Sequence, residues 1–136
     1  MPEQSMTHAH DEQVLTLYDF ENLRKGVLQK LMSNNENTIH SNRIIDTGWN
    51  RFQFDFTTTD EFFLKGVVCR VIRKKADLAQ LELLLSQVQG LVDSGINDLK
   101  IIFGVELYLN KASILHQQSI KLLTSQYSFI EKTHFL

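Results

Sequence analysis

The side chains best suited to chemistry in this sequence are few, and one acid leads them. Asp55 lies in the strictly alternating run Arg51-Phe52-Gln53-Phe54-Asp55-Phe56-Thr57. Strand side chains alternate between faces, so the run predicts three phenylalanines on one face and Arg51, Gln53 and Asp55 on the other. A carboxylate on such a face can hold a hard divalent cation, although one carboxylate seldom does so alone. Glu106 on a later strand and Glu21 on the first helix are the acids able to complete a set, because only the spatial cluster matters. Without a partner, Asp55 belongs to the polar side of a half-exposed strand.

Arg70, Arg73, Lys74 and Lys75 form the one basic cluster. At a strand end they can grip phosphates, which needs only Coulomb attraction and hydrogen bonds. The plainer use is a solvated strand-to-helix junction. Trp49 stands beside Gly48, Asn50 and Arg51, where it can stack on a base or a partner side chain. Partial burial is the commoner fate of a tryptophan. Cys69 is the only cysteine, so neither an internal disulfide nor a CxxC zinc site can form. Inside an apolar strand it reads as a small core residue, since a nucleophile needs exposure and a basic neighbour. His40, His116 and His134 show no HExxH spacing, and the pair His8 and His10 is at best a weak metal ligand. No GxGxxG or Walker-type loop is present, so no nucleotide cofactor is expected.

The net charge of −2, from 14 Lys+Arg and 16 Asp+Glu, excludes a histone-like blanket of positive charge. At 136 residues the chain has the length of about one domain and can bury a core without staples. No apolar run approaches the roughly 18–20 residues of a membrane span, so no membrane partner is expected. The polar, acidic opening MPEQSMTHAHDEQ resembles neither a secretory signal nor a transit peptide, and a cytoplasmic location is expected. Residues 1–13 read as a disordered tail and 14–136 as a single domain, because Pro2 is the only proline and no Gly/Ser-rich linker divides the chain.

These residues need elements to position them. Leu17, Phe20, Leu23, Val27 and Leu31 recur at helical spacing and predict a helix over 17–32, with Asp19, Arg24, Lys25 and Lys30 on the wet side. Residues 38–45, 51–57 and 62–72 read as three strands joined by tight turns. Leu78, Leu81, Leu84, Val88 and Leu91 predict a helix over 76–94, ended by Gly95. Leu83 and Leu85 broaden its stripe, and a homodimer interface would bury the excess. Residues 99–105 read as a central strand, covered on both faces. A last helix over 111–125 would be carried by Ala112, Leu115, Ser119 and Leu122, and residues 127–130 read as a short final strand. The fold class is α/β, a three-layer α/β/α arrangement in the order α-β-β-β-α-β-α-(β), with a mixed sheet of about four or five strands and a parallel pair across the 76–94 helix.

That order is similar to the restriction-endonuclease-like fold, in particular the Mrr-type domain, over residues 17–136. Tyr18-Asp19-Phe20-Glu21-Asn22-Leu23 resembles its opening helix, and Thr47-Gly48-Trp49-Asn50-Arg51 stands at its turn into an acidic strand. Gly66-Val67-Val68-Cys69-Arg70-Val71-Ile72-Arg73-Lys74 resembles the strand that carries the acid-x-Lys motif and its basic tail. Ile101-Ile102-Phe103-Gly104-Val105, the helix from Lys111 and the closing Phe135-Leu136 resemble the later part. The resemblance implies Mg²⁺-dependent phosphodiester cleavage, with two carboxylates on neighbouring strands holding the metal and a lysine steering the water. This sequence departs at those positions. Val68 replaces the acid, Arg70 replaces the lysine, and no Asp or Glu occurs from Phe62 to Lys75.

The resemblance therefore implies a nuclease fold that has lost its active centre, a pseudo-nuclease without catalysis or cofactor. It would bind nucleic acid through Arg70, Arg73, Lys74 and Lys75, or bind protein. Two rival readings stand beside it. One is an active Mg²⁺-dependent endonuclease rebuilt around Asp55 with Glu106 or Glu21. The other is a small dimeric protein–protein adaptor of another α/β fold.

Overall fold

A computed structural model describes residues 2–34, 38–60, 62–96 and 102–136, with side chains from Val14 onward. Helix α1 (Pro2–Ser33) is followed by strands β1 (Ile39–Ser41), β2 (Ile44–Asp46), β3 (Arg51–Gln53), β4 (Phe56–Thr59) and β5 (Phe63–Arg70). Helix α2 (Lys75–Asp93) leads to β6 (Ile102–Leu109), a 3-10 segment (Lys111–His116), helix α3 (Gln117–Thr124) and β7 (Ile130–Phe135). Five strands form one sheet in the order β1-β4-β5-β6-β7, and β2 with β3 forms a separate ribbon. β4 runs antiparallel to β5, whereas β5, β6 and β7 are parallel. The chain is thus α/β with a mixed sheet, and a helix bridges each parallel pair, as strands running the same way require. No helix among the described residues is long and apolar enough to cross a membrane.

Two apolar clusters use the alternation of the central strands. Val67 and Cys69 of β5 join Phe56 and Tyr108 beneath Leu23, Val27 and Leu31 of α1. Val68 joins Val105, Leu107 and Leu109 beneath Leu81, Leu84, Leu85, Val88 and Leu91 of α2. Each such leucine contributes about 1.5–3 kcal/mol of burial, so these helical stripes fix the helices on the sheet. The stripes differ in detail from their expected extent. Leu17 is exposed, and α1 first meets the core at Leu23, with Phe20 partly buried. On α2, Leu85 is fully buried while Leu83 lies outside, so half of the expected excess is core.

Other expectations shift as well. The first helix extends back to Pro2, a residue whose fixed φ and missing N–H suit a first turn, so no helix end marks the expected boundary at residue 13. The expected single helix over 111–125 begins as a 3-10 segment. Its three-residue turn changes the phase of the stripe: Ile120 is buried, whereas Leu115 and Leu122 are exposed. The last strand lies at Ile130–Phe135, later than expected, and residues 99–101 of the expected strand before it lie outside the described residues.

The phenylalanine run is the main correction. β1 pairs with β4 and β2 with β3 in one continuous register, so all four belong to a single hairpin. The hairpin bends at its middle, where Asn42 takes a φ of 55, a left-handed conformation that asparagine tolerates. Asn42 N–H donates to the Asp55 carbonyl at 2.9 Å, and Phe54 N–H donates to the Arg43 carbonyl at 2.9 Å. Beyond this bend the faces differ. Phe52 and Phe54 enter the α2-side cluster, while Phe56 enters the α1-side cluster. The Phe54 ring packs on Gly66, where a Cβ would come within 2.5 Å of it.

Candidate functional site

Asp55 owes its position to that bend. If β4 continued in register with β5, residue 54 would pair with Cys69. The chain instead turns away toward Arg43, and the Cys69 N–H loses its strand partner. A buried N–H left unpaired is costly, and the Asp55 carboxylate supplies the acceptor at 2.8 Å. Asp55 is only 7% exposed, so it is not the polar side of a half-exposed strand.

Two guanidiniums close on the same carboxylate. Arg24 of α1 reaches Oδ1 at 2.5 Å, and Arg70 of β5 reaches Oδ2 at 3.2 Å. Arg24 also donates to the Asn42 side-chain oxygen at 3.0 Å and lies 5.0 Å from the Phe56 ring centre and 5.6 Å from that of Phe20. Arg70 also donates to the Cys69 carbonyl at 2.6 Å and remains about a third exposed. Two permanent positive charges thus face one negative charge. A cleft of about 430 Å³ opens over them, lined among others by Phe20, Asn42, Gln53 and Gln80. Asp77 also lines it, but accepts the backbone N–H groups of Arg73 and Lys74 at the start of α2.

The other expected site residues do not join this group. Glu106 lies between Lys65 and His134, 3.5 Å from each. Glu21 is exposed on α1. Among the described residues, no group of three or more His, Cys, Asp and Glu side chains is arranged to hold a metal ion. The basic cluster is divided. Arg70 turns to Asp55, Arg73 pairs with Asp19 of α1, and Lys74 and Lys75 are exposed at the start of α2. Cys69 is fully buried, and burial, then the Asp55 charge, pushes its thiol far above the usual range. It is a core residue.

Trp49 departs most from its expected surroundings. It is 86% exposed at the tip between β2 and β3, not part-buried, because the bent hairpin carries the tip beyond the sheet. Arg24, assigned by its spacing to the wet side of α1, proves to be a central residue of the site. The available signal was its place directly after Leu23 and four residues beyond Phe20, at the margin of the apolar stripe. Asn42 and Gln80 carried no comparable signal. Compared with protein-family models, curated proteins and solved structures, the chain matches none.

Proposed function

We propose that this chain is a cytoplasmic nucleic-acid-binding module, not a hydrolase, on a three-layer α/β/α frame of the restriction-endonuclease-like, Mrr-type kind. The observation that carries the reading is the pair of guanidiniums, Arg24 and Arg70, on the one buried carboxylate at the floor of an open cleft. The layering rests on the two apolar clusters, one beneath α1 and the other beneath α2.

The donor set does not fit Mg²⁺. Both Asp55 oxygens already receive guanidinium or amide N–H groups. The β5 residue whose amide they hold is a cysteine. A dication would have to displace or approach two positive charges, which costs far more in a part-buried site than in water. Those same charges suit a phosphodiester, because guanidinium binds phosphate oxygens through paired N–H groups and Arg70 remains open to solvent.

Fluorescence anisotropy with labelled oligonucleotides tests this between about 50 and 200 mM salt. The reading expects binding that weakens with salt, a loss of about five-fold or more in Arg70→Gln, and no cleavage with Mg²⁺ or Mn²⁺. Metal-dependent cleavage abolished by Asp55→Asn would restore the nuclease. Absence of binding at the lowest salt would remove nucleic acid as the ligand.

A further inference from the structure

We infer that the ligand is a single nucleic-acid strand, running from the Arg24–Arg70 cleft over the outer face of the β2–β3 ribbon to the ring of Trp49. The inference rests on the nucleic-acid reading above and adds the strandedness of the ligand and the surface that selects it.

The first support is the way the tip is built. Gly48 takes a φ of 90, and the Asp46 carboxylate accepts its N–H at 2.8 Å. Thr47 N–H donates to the Asn50 carbonyl at 2.9 Å, and the Thr47 hydroxyl accepts the Asn50 N–H at 3.2 Å. Asn50 then donates its side-chain amide to the Gly90 carbonyl of α2 at 3.1 Å, and the Thr47 and Ser94 hydroxyls meet at 2.6 Å. The turn is therefore anchored to the end of α2. It nevertheless leaves the largest apolar side chain in the sequence 86% in water, where it contributes almost nothing to folding. A held, exposed indole is a stacking platform whose ordering cost is already met.

The second support is continuity. Gln53 lines the cleft and is exposed on β3. Arg51, two residues nearer the tip, shares its face, while Phe52 between them is buried. Directly across the ribbon from Gln53 stands Ile44, 46% exposed, which adds apolar surface for a sugar or base. Asp46 lies across from Arg51, but one of its oxygens is engaged by the Gly48 amide. From Gln53 to Arg51 the strand advances about 7 Å at about 3.3 Å per residue, and Trp49 follows in the turn beyond it, a reach comparable to a few stacked bases at about 3.4 Å each.

Strandedness follows from the ring. An indole stacks on the open face of a base, and a duplex hides those faces against one another. Arginines at the cleft and on β3 would hold phosphates of either form, so Trp49 is the group that discriminates.

Trp49 is the only tryptophan, so its emission reports this contact alone. The probe is a deoxythymidylate strand of about 15 nucleotides. The expected result is saturable quenching with the same midpoint as anisotropy, and weaker quenching by the matching duplex. Trp49→Ala should weaken binding about ten-fold, and Trp49→Phe should recover most of that loss. Unchanged far-UV circular dichroism checks that the exposed site tolerates both variants. Anisotropy that responds to Arg70→Gln while Trp49 emission and Trp49→Ala affinity stay unchanged would overturn the path to the ribbon but leave the nucleic-acid reading standing. Equal quenching by duplex would overturn the strand preference. Absence of any binding would remove the underlying reading, and this inference with it.

Discussion

Asp55 and Glu106 are two carboxylates on the α1 side of one sheet, and they are neutralised by different means. Asp55 stands where β4 leaves the sheet, holds a backbone amide, and meets two arginines that keep their charge at any ordinary pH. Glu106 stands inside β6, in register with Val67 of β5 and next to a register shift against β7, and meets Lys65 and a titratable partner, His134, each 3.5 Å away. The comparison teaches that the Asp55 group joins a structural task, accepting the Cys69 amide, to the binding role proposed above. Its two guanidiniums open on a cleft that Asp77 also lines, whereas the Glu106 group balances its charge against its neighbours.

The largest test removes the first carboxylate. Asp55→Ala leaves two guanidiniums facing each other and the buried Cys69 N–H without its acceptor. Breaking a buried ion pair from one side costs about 3–5 kcal/mol, so urea denaturation should show a loss of that order. A loss below about 1 kcal/mol would mean that Asp55 is only a surface partner. A smaller effect is expected at the second carboxylate. Glu106→Gln keeps the shape and a hydrogen-bonding oxygen and removes the charge between longer contacts, for a loss of about 1 kcal/mol. Equal losses at the two positions would erase the distinction between them.

The same contrast explains what was legible in the sequence. The α2 stripe was legible because Leu81, Leu84, Val88 and Leu91 repeat within one helix and face one cluster. Strand β5 was legible as a strand because its run is largely apolar, whereas coverage on both faces was expected only for residues 99–105. The Asp55 group was only half legible. Asp55 itself stood out, but Arg24 lies 31 residues away on another element, and local spacing placed it in water. The alternation of Phe52, Phe54 and Phe56 pointed to one flat strand. The bend that breaks it depends on the left-handed Asn42 on the opposite strand, which no pattern within the phenylalanine run encodes. Trp49 departs from its expected burial for a related reason. Residue type favours burial, yet the bend carries its turn out to the end of α2.

The smallest expected effect separates the two carboxylates by pH. His134 stacks on Tyr108 with ring centres 4.3 Å apart and faces Glu106, Lys30 and Lys132. Burial, then the Lys30 charge, lowers its pKa below the ordinary 6.5, while Glu106 opposes the shift. The unfolded chain therefore takes up a proton at this residue before the folded chain does. Between the two pKa values the unfolded state holds more protons, so the stability contributed by neutral His134 is present above about pH 6.5 and falls as pH drops below it. Urea midpoints measured from neutral pH downward should decline in the wild type and decline less in His134→Gln, whose side chain does not titrate in that range. The guanidiniums of Arg24 and Arg70 beside Asp55 stay charged throughout that range. A His134→Gln profile parallel to the wild type would place the acid sensitivity away from His134 and remove its pairing with Glu106 as a source of pH dependence.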